Sequence, residues 1–362
     1  MSDLRTLELA YLPPLDPSSD FEAVCRGLAE DGISCIVLQE VCGTLSLAEP
    51  GVEKEIARVL RETGLRAIAC HGLEHAPYVL RQPDPDARRR MVAAHIDVMR
   101  RAADLGATTY VLHLGDYPKE GGERDVIWAP VTRAVDELAP AAEAAGIKLA
   151  LENSLRLTYL ARTVDELAGF VGQYDHPAVG VCFDVAHAHI HDGVQVALDA
   201  LRPYVVTMHL HDNDGRHDQH FIPGRGTLDW AAFVPQIASC PRLLHLETEA
   251  IKPPLGGTLA QTEQHPPGEV HARYLGILNA PGSGLRDKVA GGLGRPLFVV
   301  VCDLEALDPT STTGTGRILG HGPLDPADVQ RYLCDAGVSR VVTQGRSLPL
   351  EVGATSRTAT PA

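Results

Sequence analysis

The stretch HLHDNDGRHDQHFIPGRGTLDW, His209 to Trp230, places four histidines and four aspartates within 22 residues. Imidazole and carboxylate at that density are the groups that bind divalent cations or pass protons. Elsewhere, single His, Asp and Glu residues close short apolar runs: His113 in YVLHLGD, Glu152 in KLALEN, Asp184 in VGVCFD, His209 and His211 in VVTMHLHD, and Glu247 in LLHLE. His75, in HGLEHAPY, follows another such run. Glu152, Asp184, His209 and Glu247 make a mixed, fairly hard ligand set suited to Mn2+, Co2+, Mg2+ or Zn2+. So much carboxylate in one place is costly without a cation. His187, three residues after Asp184, could bind a second ion with Asp218 and His220, and His75 and His113 a third, with Glu152 as bridge. The alternative for those five is contact with substrate or support of the primary ligands. One ion is therefore expected, and up to three can be accommodated. His211 reads as a hydrogen-bonding neighbour or substrate contact, and Arg225 as a substrate contact or a solvated loop arginine.

Positioning these groups falls to a regular alternation of short β-branched runs and Ala/Leu/Arg-rich stretches. Strands are expected at Thr6–Tyr11, Ser34–Gln39, Leu65–Cys70, Thr109–His113, Lys148–Glu152, Val179–Asp184, Val205–His211 and Leu243–Glu247. Helices are expected at Phe21–Asp31, Val52–Thr63, Asp86–Leu105, Val131–Ala145, Thr163–Tyr174, Val194–Leu201 and Trp230–Ala238, with one more near Glu269–Leu278. The phrases AEDGIS, RETGLR, ADLGAT and EAAGIK each end a helix on glycine, as a C-cap does. Eight such repeats predict an α/β fold, a (β/α)8 TIM barrel. A doubly wound open sheet would want a glycine fingerprint after the first strand, and AYLPPLDPSSD has none. In a barrel the polar residues would all lie at the carboxyl ends of the strands, where active sites of this fold form. Period-two geometry puts His209 and His211 on one face, and His245 with Glu247. Lys148 shares a face with Glu152 but lies near the barrel bottom, which argues against Schiff-base chemistry.

The barrel should occupy residues 1–282, followed by a Gly-rich linker at 283–296. A small βαβ-like appendage is expected at 297–350, with strands in RPLFVVVCDLEAL and VSRVVTQ around a helix at Pro326–Ala336, then a disordered tail at 351–362. The net charge of −15 over 362 residues argues against nucleic acid as principal partner, since phosphate binding is driven by Lys and Arg. No apolar run approaches the ~20 residues of a membrane span, and MSDLRTLELAYL lacks a secretory signal. Eight cysteines without a CxxC, mostly in apolar runs, read as reduced, buried thiols in a cytoplasmic protein.

The motifs HAPY, HLGD, LEN, VCFDVAHAH, HLHDNDGRHDQHFIPGRGTLDW and HLETE resemble those of the xylose-isomerase-like barrels, which comprise sugar (phosphate) isomerases and epimerases and the type IV apurinic endonucleases. The resemblance covers about residues 1–280. It implies that Glu152, Asp184, His209 and Glu247 bind one divalent metal, as in the epimerase branch. In the endonuclease branch, residues matching His75, His113, His187, Asp218 and His220 complete a three-zinc cluster. The Gly-x-Gly turn followed by Asp-Trp is closer to the isomerase and epimerase branch. A homo-oligomer is a further implication.

Two mechanisms follow. In the first, a metal polarises an α-hydroxycarbonyl of a small sugar-like substrate, and Glu152 and Glu247 remove and return protons at an enediolate. The same parts could run a sugar dehydration. In the second, a multi-zinc cluster generates hydroxide for hydrolysis of a phosphoester.

Overall fold

The structure is a computed structural model that describes residues 7–73, 78–116, 122–153, 160–161, 163–250, 266–280, 283–285, 289–290, 298–301 and 318–320. Its strands are β1 (Leu7–Tyr11), β2 (Cys35–Leu38), β3 (Val41–Cys42), β4 (Leu45–Ser46), β5 (Arg66–His71), β6 (Thr109–Leu112), β7 (Lys148–Glu152), β8 (Val179–Asp184), β9 (Val205–Leu210), β10 (His245–Thr248), β11 (Val289–Ala290), β12 (Phe298–Val301) and β13 (Ile318–Gly320). Its helices are α1 (Phe21–Glu30), α2 (Val52–Thr63), α3 (Pro85–Asp104), α4 (Arg124–Ala145), α5 (Val164–Tyr174), α6 (Val185–Ile190), α7 (Val194–Leu201), α8 (Trp230–Ile237) and α9 (Pro267–Leu278). Eight parallel strands run in the order β10-β9-β8-β7-β6-β5-β2-β1, and β10 pairs with β1 to close the sheet. This is the expected (β/α)8 barrel.

Alternation along each strand sorts its side chains between two interiors. Leu149 and Leu151 of β7 join the large core under the helices, whereas Ala150 joins Val111, Cys182 and Val206 from neighbouring strands inside the barrel. Glu152, two residues on, therefore emerges at the top of the lumen. The helices cover the sheet by amphipathicity. In α2, Ile56, Val59 and Leu60 are buried while Arg58 pairs outward with Glu22, Glu55 and Glu62. Burying each such aliphatic side chain contributes roughly 1.5–3 kcal/mol. The turn back into β7 requires φ 71° at Gly146, a conformation glycine adopts without strain.

The structure departs from the sequence-based expectation at five places. The helix expected from Val131 begins at Arg124 and carries Pro130 and Pro140 inside it. Pro130 gives up one backbone hydrogen bond but is buried in the helix's packed face. The β3–β4 hairpin and the short α6 were not expected. Within the expected linker, β11 pairs beside the first residues of β1, and both backbone groups of Val289 bond the Asn279 side chain. In the appendage, β12 matches an expected strand but pairs antiparallel with β13, which lies before the expected partner. The second expected strand, the helix at 326–336 and the tail lie outside the described residues.

Candidate metal centre at the barrel mouth

Strand register brings the site together. Asp184 lies opposite His209, and His209 opposite Glu247, while Glu152 lies opposite Cys182 one layer lower. The resulting neighbourhood is buried: Glu152, Asp184, His187, His209, His211, His220 and Glu247 are all nearly inaccessible. Nδ1 of His209 is 3.7 Å from Glu152 Oε2 and 3.8 Å from Asp184 Oδ2, and its Nε2 is 3.5 Å from Glu247 Oε2. His113 donates from Nε2 to Glu152 Oε2 at 2.9 Å. The Thr207 hydroxyl donates to Glu247 Oε1 at 2.6 Å.

A second group forms where the loop after β9 folds back. His187 donates its Nδ1 proton to the Asn153 carbonyl at 2.9 Å, and His220 donates its Nδ1 proton to the Glu249 carbonyl at 2.8 Å. Both bonds set the tautomer and turn Nε2 toward Asp218 Oδ2, at 3.7 Å from His187 and 3.0 Å from His220. His211 stacks on His220 and bonds Asp184 Oδ2 through Nε2 at 3.0 Å. Sequence reasoning treated His211 as a hydrogen-bonding neighbour or substrate contact; its fully buried Nδ1 lies 3.7 Å from Asp218 Oδ1. It belongs to the same donor group.

Electrostatics follow from this crowding. Burial opposes ionisation of Glu152, but His113 and His209 hold it well below the usual carboxylate range. Burial likewise opposes ionisation of Glu247, and His209 again outweighs it. Burial disfavours protonation of His187, yet Asp184 and Asp218 push it up to about 10. Asp218 is driven far below its ordinary value by His187 and His220, against burial. The carboxylates thus favour the protonated form of His187, His209 and His211 against burial.

The donor set fits divalent cations. His209 Nδ1, His211 Nδ1, Asp218 Oδ1 and Glu247 Oε2 are buried and have no hydrogen-bond partner, which is costly unless a ligand satisfies them. Donor atoms of Glu152, Asp184 and His209 gather within 4.8 Å of one another, as do those of His211, Asp218 and His220, and those of Asp184, His187 and His211. Nitrogen and carboxylate donors together suit Zn2+, Co2+ or Mn2+.

Of the residues expected in the site, Glu152, Asp184, His187, His209, His211, Asp218, His220 and Glu247 come together, and His113 joins through Glu152. Glu247 approaches His209 from the Nε2 edge, away from the Nδ1 edge that meets Glu152 and Asp184. Arg225 is exposed on the loop. His75 lies outside the described residues. Three participants escaped sequence reasoning. Asn153 clamps β7 to β8 by bonding both backbone groups of Asp184, and the LEN motif was its signal. His71 Nε2 lies 3.1 Å from His209 Nε2 and 3.3 Å from Glu249 Oε1. The period-two spacing after Glu247 could have found Glu249.

Comparison with known proteins agrees with the architecture. The chain is 31% identical over 191 residues to a D-psicose 3-epimerase of Ruminiclostridium cellulolyticum, a match covering 51% of this chain and 63% of that protein, just under two thirds of its length. It is 26% identical over 239 residues to a probable endonuclease 4 of Campylobacter concisus, covering 57% of this chain and 79% of that one. Among solved structures, a D-tagatose 3-epimerase-like protein superposes with a TM-score of 0.61 at 18% identity, covering 75% of this chain and 98% of that chain. No helix among the described residues is long and apolar enough to cross a membrane. A family model described as a xylose isomerase-like TIM barrel matches residues 25–262, well over half of the chain, and the chain belongs to that family.

Proposed function

We propose that the protein is a divalent-metal-dependent isomerase or epimerase of a sugar or related α-hydroxycarbonyl compound. The observation that carries this reading is the placement of two buried carboxylates at the two nitrogens of one imidazole. Glu152 stands 3.7 Å from His209 Nδ1 and Glu247 stands 3.5 Å from His209 Nε2. A site that only binds a cation has no need of two such bases. Similarity to a D-psicose 3-epimerase supports the substrate class.

Glu152, Asp184 and His209, whose donor atoms gather within 4.8 Å of one another, would hold the ion, which would act as a Lewis acid that makes the C–H beside a substrate carbonyl acidic. Glu247, expected as a fourth ligand, stands on the opposite, Nε2 edge of His209 and is left as the second base. Both glutamates are held ionised, so each is competent as a base at neutral pH. Glu152 is oriented by His113 through Oε2, and it takes a proton from one face of the substrate carbon. Glu247, with Oε1 tied to Thr207, returns a proton from the other face through Oε2 in those turnovers it enters carrying one taken up from solvent, and is left ionised. Exchange with solvent restores the starting protonation of the pair. A dehydration would use the same base with loss of hydroxide. A small sugar-like substrate, a homo-oligomeric state and a cytoplasmic location are part of this proposal; the six described cysteines, all free and buried, suit the last.

A second reading, multi-zinc phosphoesterase chemistry, is favoured by the His211, Asp218 and His220 group and by the endonuclease 4 relatives. Glu152→Gln and Glu247→Gln, assayed on ketohexoses at saturating Mn2+, separate the two. Each should lower kcat by about 10²-fold or more. If neither loses turnover, the proton-transfer assignment is wrong.

A further inference from the structure

Beneath Glu247, polar side chains of β6, β9 and β10 form a hydrogen-bonded series inside the barrel. Thr109, Thr207 and His245 are buried, with 0%, 0% and 3% exposed. Thr207 and His245 lie opposite each other in register. β10 and β6 stand on opposite sides of the closed sheet, so the His245 imidazole crosses the lumen to reach Thr109. Thr207 Oγ1 is 2.6 Å from Glu247 Oε1, His245 Nδ1 is 3.1 Å from Thr207 Oγ1, and His245 Nε2 is 3.1 Å from Thr109 Oγ1. The inventory of donors and acceptors fixes the direction of every bond. An ionised carboxylate only accepts, so Thr207 gives its one proton to Oε1, at charge-assisted length. The His245 carbonyl, 3.4 Å from Thr207 Oγ1, is the poorer acceptor. The Thr207 oxygen therefore accepts from His245 Nδ1–H, and Nε2 keeps a lone pair that accepts from the Thr109 hydroxyl.

We propose that His245 is a positioning residue for proton return, acting through Thr207 to hold the Glu247 carboxylate with Oε1 occupied and Oε2 as the oxygen that gains and gives the proton. This rests on the reading of Glu247 as the second base. Oε2 is buried and has no hydrogen-bond partner, so nothing competes there for an incoming proton. On return the Oε2–H bond breaks, the new C–H bond forms from the electron pair at the substrate carbon, and the carboxylate is left ionised. Bonds in such a series polarise one another, so Thr109 contributes from across the barrel. Without the imidazole, Thr207 loses the donor that turns its own proton toward Oε1. Its hydroxyl is then free to swing to the backbone carbonyl of residue 245, and the carboxylate loses its fixed orientation.

The test reads tautomer and proton transfer separately. In the metal-free full chain labelled with 15N-histidine, the His245 ring, assigned by its loss in His245→Asn, should be the Nδ1–H tautomer by NMR. In Thr207→Val its proton should move to Nε2. The Mn2+-loaded protein is then given a ketohexose in D2O, and deuterium in recovered substrate is measured beside product. His245→Leu should lower product formation about tenfold, while exchange into substrate, which needs Glu152 alone, stays within about twofold of wild type. A packing defect would lower both together. His245→Asn, whose side-chain N–H stands in for Nδ1–H, should recover most of the product rate. Should His245→Leu fail to fold, Thr207→Val and Thr207→Ser carry the test. An Nε2–H or doubly protonated ring in the wild type, or variants whose exchange and product rates fall together or not at all, overturns the role of His245. Loss of product in Glu247→Gln leaves the base assignment standing in that case. Unchanged product in Glu247→Gln, or a wild type that exchanges no deuterium, overturns both.

Discussion

The carboxylate of Asp212 accepts the indole N–H of Trp230 at 3.0 Å, closing the loop that carries Asp218 and His220. The same side chain accepts the backbone N–H of Gly224 at 2.8 Å and of Leu228 at 3.1 Å. Its backbone pairs in both directions with Phe221. Asp212 thus organises the loop, and Asp218 and His220 inherit their positions from it. The backbone N–H of Asn213 is a fourth donor to the Asp212 carboxylate at 2.8 Å, so replacement by alanine strands four donors at once. Asp212→Ala should cost about 3 kcal/mol or more in urea unfolding, with altered tryptophan emission in the folded state.

Gly226 is fixed by the same clasp. A Cβ there would run into the Asn213 carbonyl and the Asp212 carboxylate. Gly27 in α1, by contrast, has open space around it. Gly226→Ala should destabilise by about 1–3 kcal/mol through overpacking. Gly27→Ala should be neutral or stabilise by up to about 1 kcal/mol through helix propensity. Thermal melts of the two variants side by side check both signs.

His95 offers a pH dependence away from the metal-binding groups. It is buried in α3, its Nε2–H donates to the Tyr78 carbonyl at 2.7 Å, and its Nδ1 accepts from the Tyr110 hydroxyl at 3.1 Å. Burial lowers its pKa to about 4. Between about 4 and the ordinary imidazole value near 6.5, the unfolded chain binds a proton that the folded chain does not. This contribution to stability is therefore complete above about 6.5 and is lost as pH falls toward about 4, on the order of 3 kcal/mol in all. Urea midpoints from pH 7 to pH 4.5 should fall less steeply for His95→Gln than for wild type.

Much of this architecture is legible in residue order because it depends on local rules. Gly32, Gly64, Gly106 and Gly146, all at positive φ, mark the ends of helices, and the apolar runs between them can only be buried strands. Asp184, His209 and Glu247 are recognisable because each ends such a run. What stays hidden depends on distance or brevity. α6 spans six residues, too few for a helical period, and its N-cap is Asp184 itself, whose carboxylate accepts the His187 N–H. His71 sits inside a strand, four residues before the more conspicuous HAPY motif, and nothing local reveals that it stacks on His209. Glu249 falls two residues beyond the point where the apolar run stops.

Ion binding should be visible as stability. A ligand at 100 times its Kd stabilises the folded state by about 2.7 kcal/mol. Metal-free protein is therefore expected to melt several degrees below protein saturated with Mn2+ or Zn2+, by differential scanning calorimetry. The difference should shrink in His209→Ala, which removes the imidazole shared by the donor groups around Glu152 and Glu249.

Proton transfer at carbon leaves an isotopic record that hydrolysis does not. The Mn2+-loaded protein would be incubated with ketohexoses in D2O, and product deuterium read by NMR. One deuterium at the inverted or isomerised carbon, absent after chelation and strongly reduced in Glu152→Gln, is the predicted result. Product free of deuterium, turnover indifferent to chelation, or activity confined to phosphoesters would contradict metal-dependent epimerase chemistry.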